Sequence, residues 1–369
     1  MTHSGRESKP NGKPEPIIAH HSKVLAYKHG LTEDYPLVTD EYLDKLQDKY
    51  VEAAQLAKEC GFDAVDVKAC HGYLLHEIFS GFTRENSKYG GSYENRTRFI
   101  KDTIKRIMDE VPGITVSSRL SVSDGYEYPY AWGMKKDGSL EYDLTEPKKL
   151  IGELRDMGVE MLNIAIGNPY YNPNYERPYD FPIQGFELPE EHPLVTLERN
   201  INITTEIANA YPEMKFITSG TSWLRQMTMS VGDHMLTNGK ADIIGLGRMG
   251  LAYPDFPNDF FENGKLNLGK VCITCSSCTQ MMRDHQVSGC VIRDGATYAD
   301  IFYKGRLTSE EYVQDMADSC KNCWGGSCSK NCPAEIDVAG FIKAFYDGDV
   351  KKGYEILTAS NKIPETCSY

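Results

Sequence analysis

Four cysteines in the stretch Val271–Cys290 are spaced C-x2-C-x2-C-x11-C. Two C-x2-C steps share a central cysteine, so Cys272, Cys275 and Cys278 can converge from one short loop while Cys290 returns from beyond it. Cysteine thiolates are the usual ligands of iron–sulfur clusters, and four of them are the usual set for a [4Fe-4S] cube. The competing arrangement is a structural zinc, which normally uses two separated C-x2-C knuckles rather than a fused triplet. The spacing favours the cluster. An α/β body precedes this stretch and a second group of cysteines follows it, so it lies at a junction between chemistry and an electron supply.

Other chemistry gathers upstream. Lys68, His71 and Tyr73 fall within six residues at the end of a strand-like run, where their heads can converge. A tyrosine there can protonate a carbanion, and His or Lys can polarise a carbonyl. Taken singly, a His or Tyr is more often a satisfied structural hydrogen-bonding group; three at one strand end weaken that reading. Arg119 ends a strand inside an apolar run, as an ion-paired arginine or as a cation beside an electron-rich ring. Ser219-Gly220-Thr221 and Gly245-Leu246-Gly247-Arg248 let backbone N–H groups approach a phosphate, with Arg248 as its counter-ion. Such glycine pairs are common and carry little weight alone. Tyr170, Tyr171, Tyr175 and Tyr179 form an aromatic loop that can wall a planar substrate or simply pack as a lid.

The elements that must position these residues alternate in type. A helix over 40–60 is capped by Thr39 and ended by Gly61, and a strand follows over 62–68. Helix 94–110 leads to strand 114–121, helix 146–157 to strand 159–167, helix 196–210 to strand 215–220, and helix 223–238 to strand 241–247. That alternation is the mark of parallel βα units. Polar residues collect just after the strands, as at the active-site face of a (β/α)8 barrel, whose last two loops often hold a phosphate. A doubly wound sheet competes, but no G-x-G-x-x-G follows an early strand. Five strands are legible where a closed barrel needs eight.

Composition excludes several classes. At 369 residues the chain holds one large domain and a small one, and its formal charge of −13 with pI near 5.2 argues against nucleic acid or an anionic membrane as partner. No apolar run approaches the roughly 20 residues needed to span a bilayer, and the polar start MTHSGRESKPNGKPEP has no apolar signal core. Eleven cysteines in a chain this long, nine of them after residue 271, suit metal-bound thiolates in a reducing cytoplasm better than a secreted disulfide scaffold.

The stretch HGYLLHEIFSGFTREN-SKYGGSYENRTRF (71–99) resembles the signature of the old yellow enzyme family, FMN-dependent (β/α)8-barrel ene-reductases. THSGR at 2–6, SSRLS at 117–121 and DIIGLGRMGLAYPDFP at 242–257 are similar to further family segments in the same order. With the four-cysteine stretch, residues 1–295 look like the iron–sulfur branch that includes 2,4-dienoyl-CoA reductase and trimethylamine dehydrogenase. The resemblance implies that Tyr73 is the proton donor, His71 binds the substrate carbonyl or equivalent anion, and Arg119 lies at the flavin pyrimidine. It implies an FMN phosphate site at Gly220, Thr221, Gly247 and Arg248, and cluster ligation by Cys272, Cys275, Cys278 and Cys290. Lys68 departs from the pattern, standing where many members have the first His of a pair, so the substrate clamp is altered. The tail Cys320-x2-Cys323-x4-Cys328-x3-Cys332-Pro333 is similar to the N-terminal iron–sulfur module of the glutamate synthase small subunit and dihydropyrimidine dehydrogenase, with a zinc knuckle as the plainer alternative.

The expected architecture is therefore an FMN-binding TIM barrel over 1–270, lacking about its first three strands, a [4Fe-4S] segment over 271–300, and a helical iron–sulfur module over 301–369 that is incomplete at its end. FAD and NAD(P)H are expected on a further domain or partner subunit, and homo-oligomerisation stays open. The expected reaction is NAD(P)H-driven reduction of an activated C=C bond in a small enone or enoyl-CoA. The rivals are an amine dehydrogenase running the other way and a non-catalytic electron-transfer subunit.

Overall fold

The computed structural model describes residues 1–10, 13–304, 327–330 and 332–361, in two compact units. The first comprises Met1–Asp180 and Leu188–Thr274, the second Phe181–Glu187 and the residues from Cys275 onward.

The first unit is built on a parallel sheet of β1 (Ala64–Asp66), β2 (Thr115–Ser121), β3 (Met161–Ala165), β4 (Lys215–Ser219) and β5 (Ile243–Gly245). The strands lie side by side in chain order, with Val65 opposite Val116, Leu120 opposite Ile164, Leu162 opposite Phe216 and Ile217 opposite Ile243. A doubly wound sheet reverses its order at a switch point; this one does not. It winds one way, as a barrel does.

Helices cover the outside. Helix α1 (Asp40–Glu59) starts where the Thr39 side chain accepts from Tyr42 N, buries Leu43, Gln47, Tyr50 and Ala54 at spacings of three and four, and gives way to Gly61 at φ +85°. Short α2 (Leu74–Phe79) is buried throughout, and α3 (Tyr93–Glu110) buries Phe99, Ile100, Ile104 and Ile107. These, with α4 (Thr145–Asp156) and α6 (Pro193–Ala210), close over strand residues such as Val116, Leu162 and Phe216 in one continuous core. Between β3 and α6 lies the one-turn α5 (Pro173–Glu176), begun by the Asn172 cap and a proline at the first helical position.

One expectation needs correction. The helix read over 223–238 is regular only as α7 (Thr228–Thr237); Thr221–Met227 is a 3-10 stretch broken at Arg225, at φ +54°. The break lets Trp223 Nε1 and Arg225 Nη2 both reach the Asp180 carboxylate, at 2.9 and 2.6 Å. The long loop read over residues 1–38 is fastened by a buried ion pair. Arg6 Nη2 lies 2.7 Å from Glu77 Oε1 on α2, and that oxygen also accepts from Ala19 N. After β5 come α8 (Gly247–Ala252) and α9 (Phe256–Asn263).

In the second unit, α10 (Ser277–Arg283) meets the 181–187 segment through Gln184 N, which donates to Gln280 Oε1 at 2.7 Å. Beyond α11 (Gly295–Lys304), α12 (Val338–Tyr346) and α13 (Val350–Ser360) form a helical pair turned at Gly348 (φ +74°) and capped by Asp337 and Asp349. Gly353 is what lets the pair close, since a Cβ there would stand 2.9 Å from the Phe345 ring.

Candidate active site

Most of the site residues follow the C-terminal ends of the strands, while Arg119 lies on β2 itself. The turn after β1 carries two successive left-handed residues, His71 (φ +65°) and Gly72 (φ +69°), which aim the side chains of His71 and Tyr73. Only glycine fits at 72, where a Cβ would fall 2.4 Å from the Asn168 amide.

Tyr73 Oη is 3.2 Å from Tyr170 Oη, and the two rings stack with centroids 6.1 Å apart. The Lys68 ammonium lies 3.5 Å from the centroid of the Tyr73 ring, a cation–π contact. Burial lowers the Lys68 pKa, against the opposing pull of Cys70 and Glu176. The structure thus brings Lys68 and Tyr73 into contact, while the His71 ring meets Glu176. Cys70 beside them is fully buried, which pushes its thiol up to about 12 and makes it inert.

Glu176 is the group the sequence reading missed. Its Oε1 stands 2.6 Å from His71 Nε2 and 3.6 Å from Arg119 Nη2. Burial pushes this carboxyl up, but His71, Arg177 and Arg119 outweigh burial and hold it at about 2. It is ionised at any physiological pH. Among the described residues its Oε2, buried, accepts no hydrogen bond. The only local signal was an acidic residue closing a one-turn helix inside the tyrosine-rich loop. That loop divides in function. Tyr170 reaches the site, whereas Tyr175 is core, with its Oη 3.0 Å from Ser123 Oγ and its ring under Arg199.

Arg119 sits on β2, where its Nη2 donates to Ser219 Oγ at 3.3 Å and its Nε has no hydrogen-bond partner among the described residues. At the end of β4, Gly220 takes φ +97° and buried Thr221 leaves its Oγ1 without a hydrogen-bond partner among the described residues. At the end of β5, Gly247 opens α8 with nothing within 4 Å of where a Cβ would stand, and half-buried Arg248 follows. Buried polar atoms left unpaired are unusual unless a ligand or water completes them. Arg119 Nε and Thr221 Oγ1 are two such atoms, and they fit a site completed by a bound polar group such as FMN.

For the cluster cysteines, chemistry is favourable and geometry is open. In the first unit Cys272 is buried and its Sγ accepts from Thr274 N at 3.4 Å. In the second, Cys275, Cys278 and Cys290 are half-buried, and Arg293 N donates to Cys290 Sγ at 3.4 Å. Among the described residues none of these cysteines is in a disulfide, and no three His, Cys, Asp or Glu side chains close on a common point. N–H···S bonds of this kind are among the features that tune cluster potentials. Cys328 is exposed and Cys332 half-buried, while Cys320 and Cys323 lie outside the described residues.

Residues 1–135 match the NADH:flavin oxidoreductase / NADH oxidase family, and residues 301–369 match dihydropyrimidine dehydrogenase domain II, 4Fe-4S cluster. An NADH:flavin oxidoreductase of Gibberella zeae is 30% identical over 158 residues, 42% of this chain and 37% of that protein. Cinnamate reductase of Clostridium sporogenes is 27% identical over 262 residues, 69% of this chain and 36% of that protein. The chain thus spans about a third of the length of these curated relatives. Among solved structures, a 2-naphthoyl-CoA reductase superposes with a TM-score of 0.56 at 18% identity, over 96% of this chain and 55% of that one, a likeness of fold. What the two share is a parallel α/β fold.

Proposed function

We propose that this chain, whose residues 1–135 belong to the NADH:flavin oxidoreductase / NADH oxidase family, reduces a carbon–carbon double bond conjugated to a carbonyl or carboxyl group, with NAD(P)H as the ultimate electron source. The observation that carries the reading is the Tyr73 hydroxyl, held by Tyr170 at a strand end beside His71 and the Lys68 ammonium. FMN, when bound at Arg119, Gly220, Thr221, Gly247 and Arg248, supplies hydride chemistry. The chain's own residues do the rest. His71 and Lys68 bind the substrate oxygen and favour the negative charge that develops on it. Tyr73 gives its proton to the carbon next to the carbonyl, and Tyr170, hydrogen-bonded to it, is placed to help return one from solvent.

Cys272, Cys275, Cys278 and Cys290 would hold a [4Fe-4S] cluster, whose chemistry is one-electron relay. Cys320, Cys323, Cys328 and Cys332 would serve a second such module, and a domain or partner carrying FAD and NAD(P)H would complete the supply.

Tyr73→Phe tests the proton role. In the FMN-loaded enzyme the variant should slow reoxidation of reduced flavin by trans-cinnamate or 2-cyclohexen-1-one about a hundredfold, in the usual range for a general acid, while flavin reduction stays at its normal rate. Equal loss in both half-reactions would sink the assignment.

One observation favours a second reading. The ionised Glu176, buried with no hydrogen bond to its Oε2 among the described residues, suits the N–H of an amine substrate, and the chain would then oxidise an amine. Flavin reduction by amines with no NAD(P)H present separates the two.

A further inference from the structure

We infer that Asp124 and His76 are positioning residues that set the direction of His71 and Tyr73 by gripping the backbone of the turn between them. The inference rests on the reading of those two side chains as the substrate-handling groups. Its ground is a chain of contacts through three elements. Gly72 N donates to His76 Nδ1 at 2.8 Å. A ring nitrogen that accepts carries no proton, so the neutral imidazole bears its hydrogen on Nε2. Nε2 lies 2.6 Å from Asp124 Oδ1, and Asp124 Oδ2 accepts from Trp132 N at 2.6 Å and from Ser80 Oγ at 3.1 Å. The side chains of His76 and Asp124 are 1% and 0% exposed.

The carboxylate comes from the loop after β2, the imidazole from α2, and the amide from the turn after β1. Apolar side chains of similar volume would pack there at less cost in desolvation. What they could not do is accept from the Gly72 amide. That amide belongs to the second of two consecutive left-handed residues, the first of which, His71, carries a side chain. Such backbone persists only where its surroundings over-determine it. The His71 ring then meets Glu176 and the Tyr73 hydroxyl meets Tyr170, so a small rotation of this turn would separate both pairs at once.

The test compares His76→Leu, His76→Asn and Asp124→Asn in the full-length, FMN-loaded protein. Asparagine keeps an acceptor near the place of Nδ1; leucine does not. Hydrogen exchange of the 70–74 amides is measured alongside single-turnover reoxidation of dithionite-reduced flavin by trans-cinnamate. His76→Leu should speed exchange at Gly72 about tenfold or more and slow reoxidation at saturating alkene by about as much, with flavin content unchanged. His76→Asn should restore both to within a few-fold. Unchanged exchange in His76→Leu would overturn the inference, as would a folded, FMN-loaded His76→Asn with no recovered protection. Should His76→Leu not fold, Asp124→Asn, which keeps an acceptor for Trp132, is read in the same way: faster exchange supports the grip and unchanged exchange refutes it. If even the wild-type protein reduces no alkene, the functional reading fails, while the exchange data still decide the positioning.

Discussion

Glu176 is the residue on which the site's electrostatics turn, because it is the carboxylate set among Lys68, His71 and Arg119. Its folded pKa, about 2, lies below the ordinary glutamate value of 4.5. A depressed carboxyl contributes stability that is present above the unfolded value and is lost as the pH falls from there toward the folded one. The window is therefore pH 4.5 down to about 2, and a shift of this size is worth roughly 3 kcal/mol. Urea midpoints measured at pH 6 and again near pH 3 should fall more steeply in the wild-type protein than in Glu176→Gln. Parallel pH dependence in the two would show that the carboxylate is not held as described. At this scale legibility followed chain distance. Tyr73 shares one short stretch with Lys68, so their contact could be read from spacing. Glu176 reaches His71 from a separate loop, and no local pattern announces that contact.

Elements were legible where their periodicity was undisturbed. Helix α1 shows its cap, its apolar stripe and its terminal glycine in sequence, and β1 to β5 were each found within a few residues of their observed bounds. The 3-10 break at Arg225 was not legible, because no breaker residue marks it and it goes with the contacts that Trp223 and Arg225 make to Asp180, far away in the chain. Nor was the tie between Arg6 and Glu77, a pair that matters to the site because α2 carries His76 as well as Glu77. The ends of β4 and β5 offer the sharpest element-level test. Gly220 needs its left-handed backbone, so a substitution there mixes strain with any effect on a ligand. Gly247 is different, with open space where a Cβ would stand. Gly247→Ala should leave the melting temperature within about a degree, as a surface substitution away from special features does. It should weaken FMN binding tenfold or more if a phosphate approaches that backbone, as fluorescence titration would report. Unchanged FMN affinity would move the phosphate site elsewhere.

At the scale of the whole molecule, the division between the two units falls inside the cysteine motif that first suggested the chemistry. Cys272 belongs to the first unit, which ends at Thr274, and Cys275, Cys278 and Cys290 belong to the second. Spacing could not reveal this, since the chain parts where Thr274 (φ +54°) and Ser276 (φ +60°) take left-handed backbone on either side of Cys275. The arrangement makes Cys278 the informative ligand to remove. The residues assigned to flavin, from Arg119 to Arg248, all lie in the first unit, so Cys278→Ser leaves their strands untouched. Purified without oxygen, the full-length variant should lose iron and sulfide equivalent to one cluster, about four atoms of each. Its FMN content and its reoxidation by alkene after dithionite reduction should be normal, while flavin reduction by NAD(P)H should fall away. Zinc in place of iron in the wild-type protein would return the motif to a structural role. Undiminished NAD(P)H-driven reduction in the variant would show that electrons reach the flavin by another route.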